Sequence, residues 1–113
     1  MKYILADDIY YSQVCIRRTI ESLRPDLQLA GVAEDSQEMM ELLANHEIDF
    51  ILAKDNISDV NVVSFMRSHK IETPLILISQ LSDPKAKCRG LNIIDCIFEP
   101  VSSTDLQTAL GHI

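Results

Sequence analysis

The run Leu75-Ile76-Leu77-Ile78 constrains this chain more than any other stretch. Four consecutive aliphatic residues leave no polar face, so a strand here must be covered on both sides. Such strands belong to parallel sheets, whose crossover connections lay helices on each face. A second apolar run, Phe50-Ile51-Leu52-Ala53, follows Ile48-Asp49 and passes directly into the polar stretch Lys54-Asp55-Asn56-Ile57-Ser58. In open sheets of this class, sites form in the crevice beyond the carboxyl ends of the strands. What the central strand delivers to that crevice is a lysine followed by an aspartate.

The rest of the chain supplies the alternation that the two runs require. Lys2 to Ala6 is a short apolar strand that stops at Asp7-Asp8. Ile9 to Leu23 places Val14, Ile16, Ile20 and Leu23 at helical spacing, and Pro25-Asp26 breaks that helix. Leu27 to Val32 reads as the second strand, with Leu27, Leu29 and Gly31 alternating against Gln28, Ala30 and Val32. Ser36 opens a second helix that carries Met39, Met40, Leu42 and Leu43 inward, the methionines as core filler. After the central strand, a helix is expected from about Val60 to Ser68. Thr73-Pro74 introduces the Leu75–Ile78 strand, and Asp83-Pro84 starts a short helix to about Gly90, proline suiting the first helical position. Asp95 to Phe98 is the last strand, ending at Glu99-Pro100. Ser102 caps a final helix, with Asp105 three residues on in a capping-box pattern. Five strands alternating with five helices define an α/β chain with one doubly wound parallel sheet and right-handed crossovers.

At 113 residues the chain is expected to form one domain, residues 1–113, with no linker or internal repeat. Its 47% hydrophobic and 24% charged residues are those of ordinary globular material. No apolar run is long enough to cross a membrane, and Met1 to Asp8 turns acidic too soon for a signal peptide, so the cytoplasm is the expected location. The net charge of −7 argues against direct nucleic-acid contact, which relies on clustered Lys and Arg. Lys85, Lys87 and Arg89, like Arg17-Arg18, read as solvated helix faces. Cys15, Cys88 and Cys96 show no disulfide or zinc spacing. His46, His69 and His112 fall at expected helix ends or near the terminus, where an imidazolium suits the helix dipole, and none pairs at metal-ligand spacing.

Four strand ends carry the candidate chemistry: Asp7-Asp8, Lys54-Asp55, Ser79 and Glu99. Any one of them alone is an ordinary loop residue. Together they form a set, and converging carboxylates are the oxygen ligands that Mg²⁺ favours. A dinucleotide, P-loop or flavin site would need a glycine-rich first turn so that backbone N–H groups could approach phosphate. None of the three glycines lies there, and two aspartates would repel the phosphate.

On these residues the whole chain resembles the receiver domains of two-component response regulators. That family's fold is flavodoxin-like, with strand order 2-1-3-4-5. Its pattern has an acidic pair after the first strand, a phosphoacceptor aspartate after the third, a hydroxyl residue after the fourth, and a Lys-Pro pair with a cis peptide after the fifth. Asp7 and Asp8 match the acidic pair, Ser79 the switch hydroxyl and Pro100 the proline, while Asn56 and Ile57 fit the loop after the acceptor. The Pro25–Glu34 segment and the short distance from Ser79 to Glu99 are similar to receivers of LytTR-type transcription regulators, in which a DNA-binding domain follows. The short last helix fits a chain cut at such a boundary.

The resemblance fails at three positions. Ungapped alignment from Asp49 puts Lys54 at the phosphoacceptor position, and an amine cannot form an acyl phosphate. Glu99 stands at the family's lysine position, and Cys96 at its aromatic switch position. The formal charge stays at −2, with the lysine and one acid exchanged between the third and fifth strands. The expectation is a charge swap, with Lys54 among Asp7, Asp8 and Glu99 in the space a metal would take. Opposite charges within about 4–6 Å favour the ionised forms. The implied protein is a pseudo-receiver: not an enzyme, without a resident cofactor, working as an interaction or dimerisation module for a histidine kinase, an output domain or a second copy. The competing reading makes Asp55 the phosphoacceptor after a one-residue bulge, with Mg²⁺ on Asp8. Without a bulge, successive strand residues point to opposite faces, which aims Asp55 away from Asp8.

Overall fold

A computed structural model describes residues 1–80 and 90–113. Its main sheet uses β1 (Lys2–Ala6), β2 (Gln28–Ala33), β3 (Phe50–Lys54), β6 (Leu75–Ser79) and β7 (Ile93–Phe98). All pairs are parallel, in the order β2-β1-β3-β6-β7. Counting only these five strands, the order is the expected 2-1-3-4-5. Between them lie α1 (Tyr10–Leu23), α2 (Ser36–Asn45) and α3 (Val62–Ser68), and α4 (Ser103–Leu110) follows β7. The helix expected from Asp83 to about Gly90, with Lys85, Lys87 and Arg89, falls almost wholly outside the described residues, as does Cys88.

Period-two alternation along the strands divides the core into two layers. Ile4, Ala6, Ile51, Ala53, Leu75 and Leu77 pack with Met39 of α2 and Phe65 and Met66 of α3. Tyr3, Leu5, Phe50, Leu52, Ile76 and Ile78 pack with Ile16 and Ile20 of α1 and Leu106 and Leu110 of α4. β3 and β6 are buried along nearly their whole length, as their continuous apolar runs require.

Several expectations shift for identifiable reasons. In β2 the register slips between Tyr3↔Leu29 and Ile4↔Gly31, so Ala30 is an extra residue. The bulge breaks the expected alternation: Leu29 and Val32 join the layer of α1, whereas Gly31 backs onto Leu42 of α2. A Cβ at Gly31 would come 2.6 Å from Leu42 Cδ2, so the residue lets helix and sheet approach closely. A similar slip at Ile94 hides the start of β7, which begins at Ile93 rather than Asp95. Helix α2 is capped by Asp35, whose side chain accepts the Glu38 N–H at 2.8 Å, with Ser36 the first helical residue. Met40, expected inside, is 40% exposed. The segment before α3 is a small hairpin of β4 (Asn56–Ile57) and β5 (Val60–Asn61), and Asn61 caps α3. Ser102 caps α4 as expected, accepting the Asp105 N–H at 3.1 Å. His46 and His69 are the C-caps of α2 and α3. Neither Cys15 nor Cys96 forms a disulfide among the described residues. No helix among the described residues is long and apolar enough to cross a membrane.

Candidate functional site

The residues that follow β1, β3 and β7 are each held by one more bond of the parallel ladder. Asp7 N–H donates to Ala33 O, Asp55 N–H to Ile78 O and Glu99 N–H to Ser79 O, each at 3.0 Å. At these strand ends the side chains of Lys54, Asp7 and Glu99 come together. Lys54 Nζ lies 3.5 Å from Asp7 Oδ1 and 4.0 Å from Glu99 Oε1. Asp7 is fully buried, whereas the Lys54 and Glu99 side chains are 12% and 23% exposed. The Glu99-Pro100 peptide is cis.

Asp8, expected in the same cluster, is exposed and does something else: its Oδ2 accepts the Ser58 N–H at 2.8 Å. Lys54 thus meets two of the three acids grouped with it from sequence. Asp55 lies directly after β3, which pairs with β1 and β6 without a register shift. Its Oδ2 accepts the Ser79 hydroxyl at 2.8 Å, so the hydroxyl expected to act as the switch bonds to the residue beside Lys54.

Two other residues, Gln13 and Asp59, shape the site and were not singled out in the sequence. Gln13, buried on the inner side of α1, donates from Nε2 to Asp7 O at 2.6 Å and to Glu34 Oε2 at 2.9 Å. It fixes the backbone carrying Asp7, whose Oδ1 also accepts the Ile9 N–H at 2.9 Å. A glutamine on the apolar stripe of an amphipathic helix was the available signal. Asp59, at the hairpin tip, accepts from Ser36 N at 3.1 Å and Ser36 Oγ at 2.8 Å. These hydrogen bonds hold its carboxyl below the usual carboxylate value. Together with Ser58, Asp59 ties the loop after β3 to α2 and to the loop after β1.

Asp7 Oδ2 is buried with no hydrogen-bond partner among the described residues. The ammonium of Lys54 is the positive charge beside that carboxylate. Among the described residues, no three His, Cys, Asp or Glu side chains converge in a way that could hold a metal ion. A crevice of about 340 Å³ opens beside the cluster, with α1 along one wall, the Glu99–Ser103 segment and Leu106 along the other, and Lys54 and Glu99 in its lining.

The architecture is that of a flavodoxin-like parallel sheet with its polar groups gathered at the strand ends. Solved structures narrow it to the fold of response regulator receiver domains. The response regulatory domain of protein mrkE from Klebsiella pneumoniae superposes with a TM-score of 0.85 at 18% identity, over 98% of this chain and 93% of that one. A CheY-like receiver domain from Methylobacillus flagellatus gives 0.82 at 11% identity, over 98% and 96%. RcsB from Salmonella enterica serovar Typhimurium, solved bound to promoter rprA in the presence of phosphomimetic BeF3-, gives 0.82 at 20% identity, over 100% of this chain and 67% of that one. At such identities the likeness is one of fold. No protein-family model matches the chain, and no curated protein sequence matches it.

Proposed function

We propose that this chain is a signalling module of the receiver type that works without phosphorylation of its own, by binding a protein partner or a second copy of itself. The observation that carries this reading is the position of Lys54. The side chain at the end of the central strand is an ammonium 3.5 Å from Asp7 Oδ1, and it offers no carboxylate for an acyl phosphate. The same ammonium argues against a resident Mg²⁺. Asp7 has its compensating charge beside it, and Asp8 Oδ2 is bonded to the Ser58 N–H. Lys54 and Glu99 have exchanged the signs that the receiver pattern assigns to the third and fifth strands, which supports a site that keeps its charge but loses its chemistry. The surroundings implied are those of a two-component regulator in the cytoplasm. A histidine kinase or an output domain would be the partner, and a LytTR-type domain is one such output. DNA contact would belong to that other domain, given the net charge of −7 here.

A second reading is favoured by one contact: Asp55 bonds to Ser79, the hydroxyl that phosphoreceivers place beside their acceptor. In it, Asp55 takes the phosphoryl group and Asp8 helps to hold Mg²⁺. The even register of β3 supplies no bulge to turn Asp55 toward Asp8. One experiment separates the two readings: intact-mass spectrometry after incubation with acetyl phosphate and Mg²⁺, beside a Lys54→Asp variant that restores a carboxylate. The expected result is no phosphoryl adduct on the parent chain. A labile adduct mapped to Asp55 overturns the proposal and makes this an ordinary phosphoswitch.

A further inference from the structure

The crevice between α1 and α4 has the size and chemistry of a small-ligand site. Its volume of about 340 Å³ lies within the range of small-molecule pockets, roughly 300–1,000 Å³. Ile16, Pro100 and Val101 give it apolar walls, while Lys54 and Glu99 contribute one charge of each sign. Those charges are loosely engaged. Charge-assisted N–H···O bonds run about 2.7–2.9 Å. Lys54 Nζ lies 3.5 Å from Asp7 Oδ1 and 4.0 Å from Glu99 Oε1, both longer than such a bond. Among the described residues, the other Glu99 oxygen is reached by Gln80 Nε2 alone, at 3.4 Å. Among the described residues, neither charged group is saturated on the crevice side.

We infer that this crevice binds a small zwitterion, an α-amino acid with an apolar side chain, whose carboxylate meets Lys54 and whose ammonium meets Glu99. The match is one of charge and shape. A free anion would approach Lys54 against Asp7 and Glu99, and a free cation would approach Glu99 against Lys54. A zwitterion presents both signs a few ångströms apart and adds no net charge to a site that already carries an excess of carboxylates. Its side chain then lies along Ile16 and Val101. The inference uses the geometry of Lys54 and Glu99, and it stands whether or not the chain accepts a phosphoryl group.

The test is a titration of the isotope-labelled full chain, followed by amide chemical shifts. L-phenylalanine is the probe, compared with phenylpropionate, which lacks the ammonium, and phenethylamine, which lacks the carboxylate. Saturable shifts confined to Tyr11–Thr19, Lys54 and Glu99–Leu106 are expected for phenylalanine. Each analogue should bind about tenfold or more weakly, each having lost one charge contact. Glu99→Gln should bring phenylalanine down to the level of phenylpropionate, and Cys15→Phe, which fills the crevice from an exposed position on α1, should abolish the shifts. Their spectra also report whether the variants fold. Absence of saturable shifts, equal or tighter binding of either analogue, shifts mapping elsewhere, or binding that survives Cys15→Phe would each overturn the inference. A phosphoryl adduct in the mass experiment would not touch it.

Discussion

On the α2 flank of Lys54, two acidic side chains anchor the loop after β3 at close range. Asp8 holds the Ser58 N–H at 2.8 Å, and Asp59 holds the Ser36 hydroxyl at 2.8 Å. On the α4 flank the contacts are long: 4.0 Å from Lys54 to Glu99 and 3.4 Å from Gln80 to Glu99, with an open crevice alongside. The same cluster of charges thus has a tied side and a loose side. The difference teaches that Asp8 and Asp59 serve loop geometry. The groups left adaptable are those facing α1 and α4.

The largest test of this asymmetry lies between the flanks. Lys54→Met leaves the carboxylate of Asp7 fully buried with no compensating charge, and removing one partner of a buried pair costs about 3–5 kcal/mol. Urea denaturation should show a loss of that order. The double variant Lys54→Met, Asp7→Asn should recover most of it, because no charge is then stranded. A Lys54→Met protein as stable as the parent would mean that the ammonium is not what balances Asp7.

A smaller effect is expected on the tied flank. The Ser36 hydroxyl, then the Ser36 N–H, hold the Asp59 carboxyl below its usual value of 3.8. A carboxyl with a depressed folded value adds stability above its unfolded value and loses that stability as pH falls through the folded one. Asp59→Asn should therefore lower stability at neutral pH, and the gap to the parent should close as pH drops below about 3.8. Denaturation series at several pH values would read this directly. A gap that is constant with pH would assign the anchor to shape rather than charge.

Much of this arrangement could be read from the chain, and the parts that could not have physical causes. The parallel sheet and its two covered faces follow from uninterrupted runs such as Leu75–Ile78, which only a doubly covered strand accommodates, whereas the strand order rests on the resemblance to receiver domains. Lys54 and Glu99 were legible because their positions are set by where those runs stop. The bulges at Ala30 and Ile94 were not, since one extra residue shifts a period-two pattern without altering composition. The hairpin before α3 looked helical because Val60, Val62 and Val63 suit either state, and only the cap at Asn61 decides between them. Asp8 was grouped with Lys54 because neighbouring acids look alike in sequence. Their roles separate once the backbone turns, Asp7 inward to Lys54 and Asp8 across to Ser58.

The smallest expected effect is also the one that most sharpens the comparison. A double-mutant cycle between Lys54→Met and Glu99→Gln measures only their mutual coupling. At 4.0 Å, with Glu99 23% exposed, the pair should couple by about 0–1 kcal/mol, the range of solvent-screened ion pairs. It should weaken further as salt is raised. The corresponding cycle between Lys54→Met and Asp7→Asn should couple more strongly and respond less to salt, because Asp7 is shielded from solvent. If both couplings were near zero, Lys54 would be a lysine that merely happens to stand among acids, and the exchange of charge between β3 and β7 would have no energetic content. If instead the Glu99 coupling matched that of Asp7, the α4 flank would be as firmly tied as the other, and the crevice would have no loosely held charges to offer a ligand.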